Sequence, residues 1–137
     1  MFTAVPYLES DLDETSVEDV VATETRIVSR HRSLKSKEKK RLTKRLNKAA
    51  HPFELRVKLV VLERHNSIAA YFICSMLEGL HRLRCLWRSG LLKNIMESIF
   101  TLLTRQTSPI IIKRFVWSND NYQACIKYFC NTTGMNE

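Results

Sequence analysis

The chain has 137 residues, about the size of a single domain. With 45% hydrophobic and 26% charged residues, three Gly and three Pro, it is neither collagen-like, nor a linker, nor wholly disordered. Lysine and arginine outnumber aspartate and glutamate by 22 to 14, and the net +8 favours acidic protein surfaces or nucleic acid as partners.

Charge divides the chain into three zones: −7 over residues 1–25, +11 over residues 26–58 and +4 over residues 59–137. Residues 1–25 contain no Lys or Arg, so neither a secretory nor a transit signal is expected there. Acids interrupted by Leu8, Leu12, Val17, Val20 and Val21 predict an acidic flexible arm. The capping-box spacing Thr15-x-x-Glu18 allows a helix to begin near Ser16.

Residues 26–50 form the basic segment, helical or disordered. Ten of the nineteen residues from Arg30 to Lys48 are cations: Arg30, Arg32, Lys35, Lys37, Lys39, Lys40, Arg41, Lys44, Arg45 and Lys48. Ile27, Leu34, Leu42 and Leu46 offer a helix here only a thin apolar stripe, so it touches the domain along one edge. Such a run suits phosphate neutralisation, nuclear import or an anionic membrane surface. A merely solvated face is the plain alternative, but like charge at this density repels itself without a counter-charge. No Phe, Trp or Tyr lies between Arg26 and Pro52, so nucleic-acid contact is expected through the backbone, tolerant of sequence and sensitive to salt. The acidic arm is expected to loop back onto this run and compete with an anionic partner.

At Pro52 a compact apolar domain, residues 51–130, is expected to begin. Phe53, Leu55, Val57, Leu59 and Val61 alternate with Glu54, Arg56 and Lys58, which predicts a strand. Ile68, Phe72, Met76, Leu80, Leu83 and Trp87 advance in steps of three and four, which predicts a helix ending at Ser89-Gly90. Its apolar start, residues 68–77, is far short of the roughly 20 residues of a membrane span. A second helix follows from Leu91 to Leu103, making an αα-hairpin. Ile110 to Trp117 predicts another strand. Ser118-Asn119-Asp120-Asn121 reads as a turn, Tyr122 to Cys130 as a short helix or edge strand, and residues 131–137 as a loose tail. The expected fold is therefore α+β, a helix hairpin on two apolar strands that pair with each other, with an all-α fold as the alternative.

Chemistry is sparse. His81 and Cys85 share a helical face, and Cys125 and Cys130 are five apart, but no zinc-like spacing occurs and no metal or cofactor is expected. All four cysteines read as reduced and buried. No Gly-rich phosphate loop, G-x-S-x-G elbow or H-E-x-x-H motif is present, so no catalytic residues and no small-molecule substrate are expected. Arg82, Arg84, Arg88 and Lys93 lie along the helix hairpin beside Trp87 and extend the basic surface, unless Trp87 belongs to the core and its arginines are simply solvated. In overall organisation the chain resembles, in style and with no residue carried over, the small accessory proteins of compact viral genomes. The expected function is that of an intracellular regulatory interaction protein of nucleus and cytoplasm. The alternative is a matrix-like protein whose basic segment binds anionic membrane or nucleocapsid.

Overall fold

A computed structural model describes residues 4–13, 17–49, 57–64, 66–105 and 108–134. The order is β1 (Tyr7–Leu12), α1 (Val17–Ser33), α2 (Ser36–Ala49), β2 (Val57–Arg64), β3 (Ile68–Cys74), α3 (Leu77–Ser89), α4 (Leu91–Thr104), β4 (Ile112–Trp117) and α5 (Asn119–Gly134). The fold is α+β, with the strands in one antiparallel sheet of order β2-β3-β1-β4.

Two strands become four, and their order corrects the expected pairing. β2 and β4, the strands read from the sequence, are the two edges of the sheet and never meet. Between them lie β3 and β1. Ile68–Cys74 was expected to open a helix, because Ile68, Phe72 and Met76 are four residues apart. A step of four keeps to one face of a strand as well as to one face of a helix, and pairing with both neighbours decides for the strand. The helix proper starts only at Leu77. Phe53 and Leu55 of the expected first strand fall outside the described residues.

The acidic arm is corrected too. Residues 4–13 are not an arm: Ala4 bridges Cys74, and Leu8 aligns with Ala70 on one side and Trp117 on the other. Leu8, Ser10 and Leu12 point into the core, while Tyr7, Glu9 and Asp11 take the opposite, half-exposed face. Two of the acids of residues 1–25 pair outside the basic run, Asp11 at 4.0 Å from Arg114 and Glu24 at 3.2 Å from Arg64.

The core-facing rows Val57, Leu59 and Leu62, Ile68, Ala70 and Phe72, and Leu8 and Leu12 pack beneath Ile27 of α1, Leu46 of α2, Leu80 and Leu83 of α3 and Leu92, Met96, Ile99 and Phe100 of α4. The hairpin α3–α4 forms as expected. Its joint is Gly90, whose φ of 85° is a left-handed conformation that side-chain-bearing residues adopt reluctantly. The segment expected as a turn is a helix start. Ser118 Oγ accepts the Asn121 N–H at 3.1 Å, capping α5. Asn121 Oδ1 in turn accepts from the Tyr7 N–H (2.9 Å) and Trp117 Nε1 (2.8 Å), tying α5 to the start of β1. Tyr122 to Cys130 is thus helical, and the expected loose tail joins α5 as far as Gly134. Among the described residues no helix is long and apolar enough to cross a membrane.

Candidate polyanion-binding surface

The basic run folds as the end of α1 and all of α2. α1 carries Asp19 in its first turn and Arg30 and Arg32 in its last, the order that opposes its macrodipole. The Ser33 hydroxyl donates to the Arg30 carbonyl and Leu34 N–H to that of His31, which closes the helix. α2 begins two residues later, with Glu38 Oε1 accepting the Lys35 N–H at 3.3 Å in half of a capping box.

On α2 only Leu42 and Leu46 are buried. Those two leucines set the helix down against β2 and α4 and so fix what its other sides present. Residues 38, 41 and 45 follow helical spacing along one flank, and residues 36, 40 and 43 along the other. The first flank borders a cleft of about 510 Å³ lined by Arg30, Leu34, Glu38, Arg41, Leu42 and, from the end of α4, Leu102, Leu103 and Arg105. A neighbouring hollow of about 570 Å³ is lined by Arg45, Glu97, Thr101, Arg105 and Ile110 among others. The second flank borders a cleft of about 440 Å³ with Lys39, Lys40, Lys44 and, from β2, Lys58 around Leu59 and Val60. Of the remaining expected residues, Arg32, Lys35, Lys37 and Lys48 are exposed.

The two acids beside the arginine flank are already engaged. Glu38 caps α2, and Glu97 Oε2 accepts the Ile112 N–H at 2.7 Å. Below the run His31 is buried, and its pKa is lowered to about 4, by burial first and by nearby Lys39 second. Glu24, also buried, has its carboxyl pKa raised, because desolvation outweighs the Arg64 guanidinium beside it.

Of the expected extension along α3, Arg84 is corrected. Arg84 is buried, its guanidinium 4.6 Å from the Trp87 ring centroid, 5.1 Å from that of Trp117 and 4.2 Å from that of Tyr122. It ties α3 to β4 and α5 by cation–π contact and presents nothing to a partner. Its Nε and Nη1 are buried with no hydrogen-bond partner, and burial followed by the charge of Arg88 lowers its pKa. Arg82 pairs with Glu78 one turn away. Trp87 Nε1 donates to the Phe115 carbonyl at 2.9 Å, so the ring is a half-buried strut. Arg88 is exposed and Lys93 half-exposed, and neither lines the three clefts described above.

Two cations of the clefts, Lys58 and Arg105, were not singled out from the sequence. Lys58 sits in the alternation of β2 and Arg105 is isolated after α4, so only the packing of α2 brings them to the basic run. Cys74 and Cys125 are buried, whereas Cys85 and Cys130 are exposed, which corrects the expectation of four buried thiols. Among the described residues no three His, Cys, Asp or Glu side chains gather as a metal site. No protein-family model, curated protein or solved structure matches this chain.

Proposed function

We propose that this is a non-enzymatic regulatory interaction protein of nucleus and cytoplasm whose α1–α2 surface binds the phosphate backbone of nucleic acid without sequence preference and carries its nuclear import signal. The rest of the apolar fold serves protein partners. One observation carries the reading: α2 turns its two leucines inward and leaves Lys37, Lys40, Arg41, Lys44, Arg45 and Lys48 exposed. Its single acid is spent on a cap. At 1.5 Å per residue the helix is roughly 21 Å long, enough to follow several successive phosphates. With no aromatic residue on either helix, affinity comes from counterion release and carries little base readout. The membrane alternative is disfavoured because the leucines α2 would insert into a bilayer already face the core.

Fluorescence anisotropy with a mixed-sequence duplex tests this. Binding should weaken steeply between about 50 and 200 mM salt. Replacing Lys39, Lys40, Arg41, Lys44 and Arg45 with Gln should abolish it, leave the melting temperature nearly unchanged and exclude the protein from nuclei. Binding to phosphatidylserine vesicles and not to duplex would overturn the reading.

A further inference from the structure

The cations around α2 are sorted by kind. Toward α4 stand Arg30, Arg41, Arg45 and Arg105, and toward β2 stand Lys39, Lys40, Lys44 and Lys58. The arginines come from three elements, the last turn of α1, two successive turns of α2 and the residue after α4, so their convergence is a product of folding. Arg105 lines both hollows on that side, which therefore adjoin along a shared wall. Together they have an apolar floor of Leu34, Leu42, Leu102 and Leu103, and Glu38 and Glu97 each already accept a backbone N–H there.

Arg105 is also conformationally unusual. Its φ of 56° is the one positive value among the described residues other than glycine. It caps α4 by donating its N–H to the carbonyls of Thr101 (3.1 Å) and Leu102 (3.3 Å), a position that favours glycine for its conformational freedom. Four guanidiniums face two carboxylates around the two hollows, so the lining keeps a net positive charge that favours an anion, and the planar guanidinium fork matches phosphate oxygens two at a time, which an ammonium cannot do.

We infer that Arg30, Arg41, Arg45 and Arg105 form a seat for backbone phosphodiesters of nucleic acid, with Arg105 its specificity-determining residue for phosphate geometry. The lysine flank supplies attraction at longer range. The inference rests on the polyanion reading above, and it adds a side, a residue and a mode of contact.

Two substitutions at Arg105, with Lys40→Gln as reference, test it by duplex anisotropy across a salt series. Arg105→Lys keeps the charge and loses the fork, and should weaken binding on the order of 5- to 10-fold with the salt dependence unchanged. Lys40→Gln should weaken binding while lowering the slope of log affinity against log salt by about 1. Arg105→Gly should raise the melting temperature by relieving the left-handed backbone and still weaken binding at least as much as Arg105→Lys. A merely structural arginine would not give those opposite signs. If both Arg105 variants bind like the parent while Lys40→Gln binds less well, the seat is refuted and the polyanion reading stands. If the parent itself fails to bind duplex, both fall; tight binding to phosphatidylserine vesicles in that case would assign the hollows to lipid headgroups instead.

Discussion

The middle of the sheet and its edges follow different rules. β1 and β3 each have a strand on both sides, and every residue from Ile68 to Ala70, together with Leu8 and Ser10, is almost fully removed from solvent. β2 and β4 each pair along one side only, and leave Val61 and Val116 more than a third exposed. The most acidic part of the chain thus supplies a central strand, and the most basic part lies outside as a helix held by two leucines. Composition did not decide which of the two is buried. Alternation did: β1 hides Leu8, Ser10 and Leu12 and keeps its carboxylates on the other face, whereas α2 has cations around most of its circumference.

The largest expected effect breaks the middle and spares the edge. Leu8→Asp should abolish folding, since a carboxylate there is buried without a partner, and Leu8→Ala should cost about 2–5 kcal/mol by urea denaturation. Val116→Ala at the edge should stay within about 0.5 kcal/mol. For the same reason, deleting the residues of β1 should unfold the protein rather than tighten nucleic-acid binding, as a mobile arm would have required.

Next in size is a pH effect from the helix laid over the sheet. The pKa of His31 is lowered from 6.5 to about 4, so its neutral form belongs to the fold. Its contribution is complete above pH 6.5 and is lost as pH falls toward 4, a loss on the order of 2–3 kcal/mol. Glu24 works with the opposite sign: its raised pKa makes the fold lose stability as pH rises above the ordinary carboxyl value. Stability measured across this range should therefore fall less steeply with acid in His31→Leu and more steeply in Glu24→Gln.

A smaller test returns to the central strand. Ser10 Oγ is fully buried and has no hydrogen-bond partner, so Ser10→Ala should be neutral or stabilise by up to about 1 kcal/mol. A loss comparable to that of Leu8→Ala would mean that the hydroxyl is satisfied in solution. Finally, thiol alkylation of the native protein should distinguish centre from periphery without any change in stability. Cys74 on β3, its pKa pushed up to about 12 by burial, and buried Cys125 should be spared, while Cys85 and Cys130 react.

Much of the candidate site was legible in advance. The ten cations from Arg30 to Lys48 are adjacent in sequence, and eight of them remain exposed on the folded chain, with Arg30 and Lys39 half-exposed. Arg84 was not legible, because three aromatic rings from three elements enclose it and only the docking of α5 brings Tyr122 there. Arg105 carries no local signal at all, since its role depends on α2 lying beside the end of α4.

By itself the sequence determined the elements whose patterns are local and unambiguous: the apolar stripe of α4, the glycine joint before it, the alternation of β2 from Val57 to Leu59, the α+β class and the concentration of positive charge on one surface helix. A bulge beyond Leu59 turns Val61 outward and Leu62 inward, against the expected alternation. Tertiary structure decided the order of the strands, the strand at Ile68–Cys74 and the central place of β1. The reason is that these depend on pairing across long separations, such as Leu8 with Trp117. A spacing of four satisfies helix and strand alike, and an acidic strand shows its buried face only once it has neighbours.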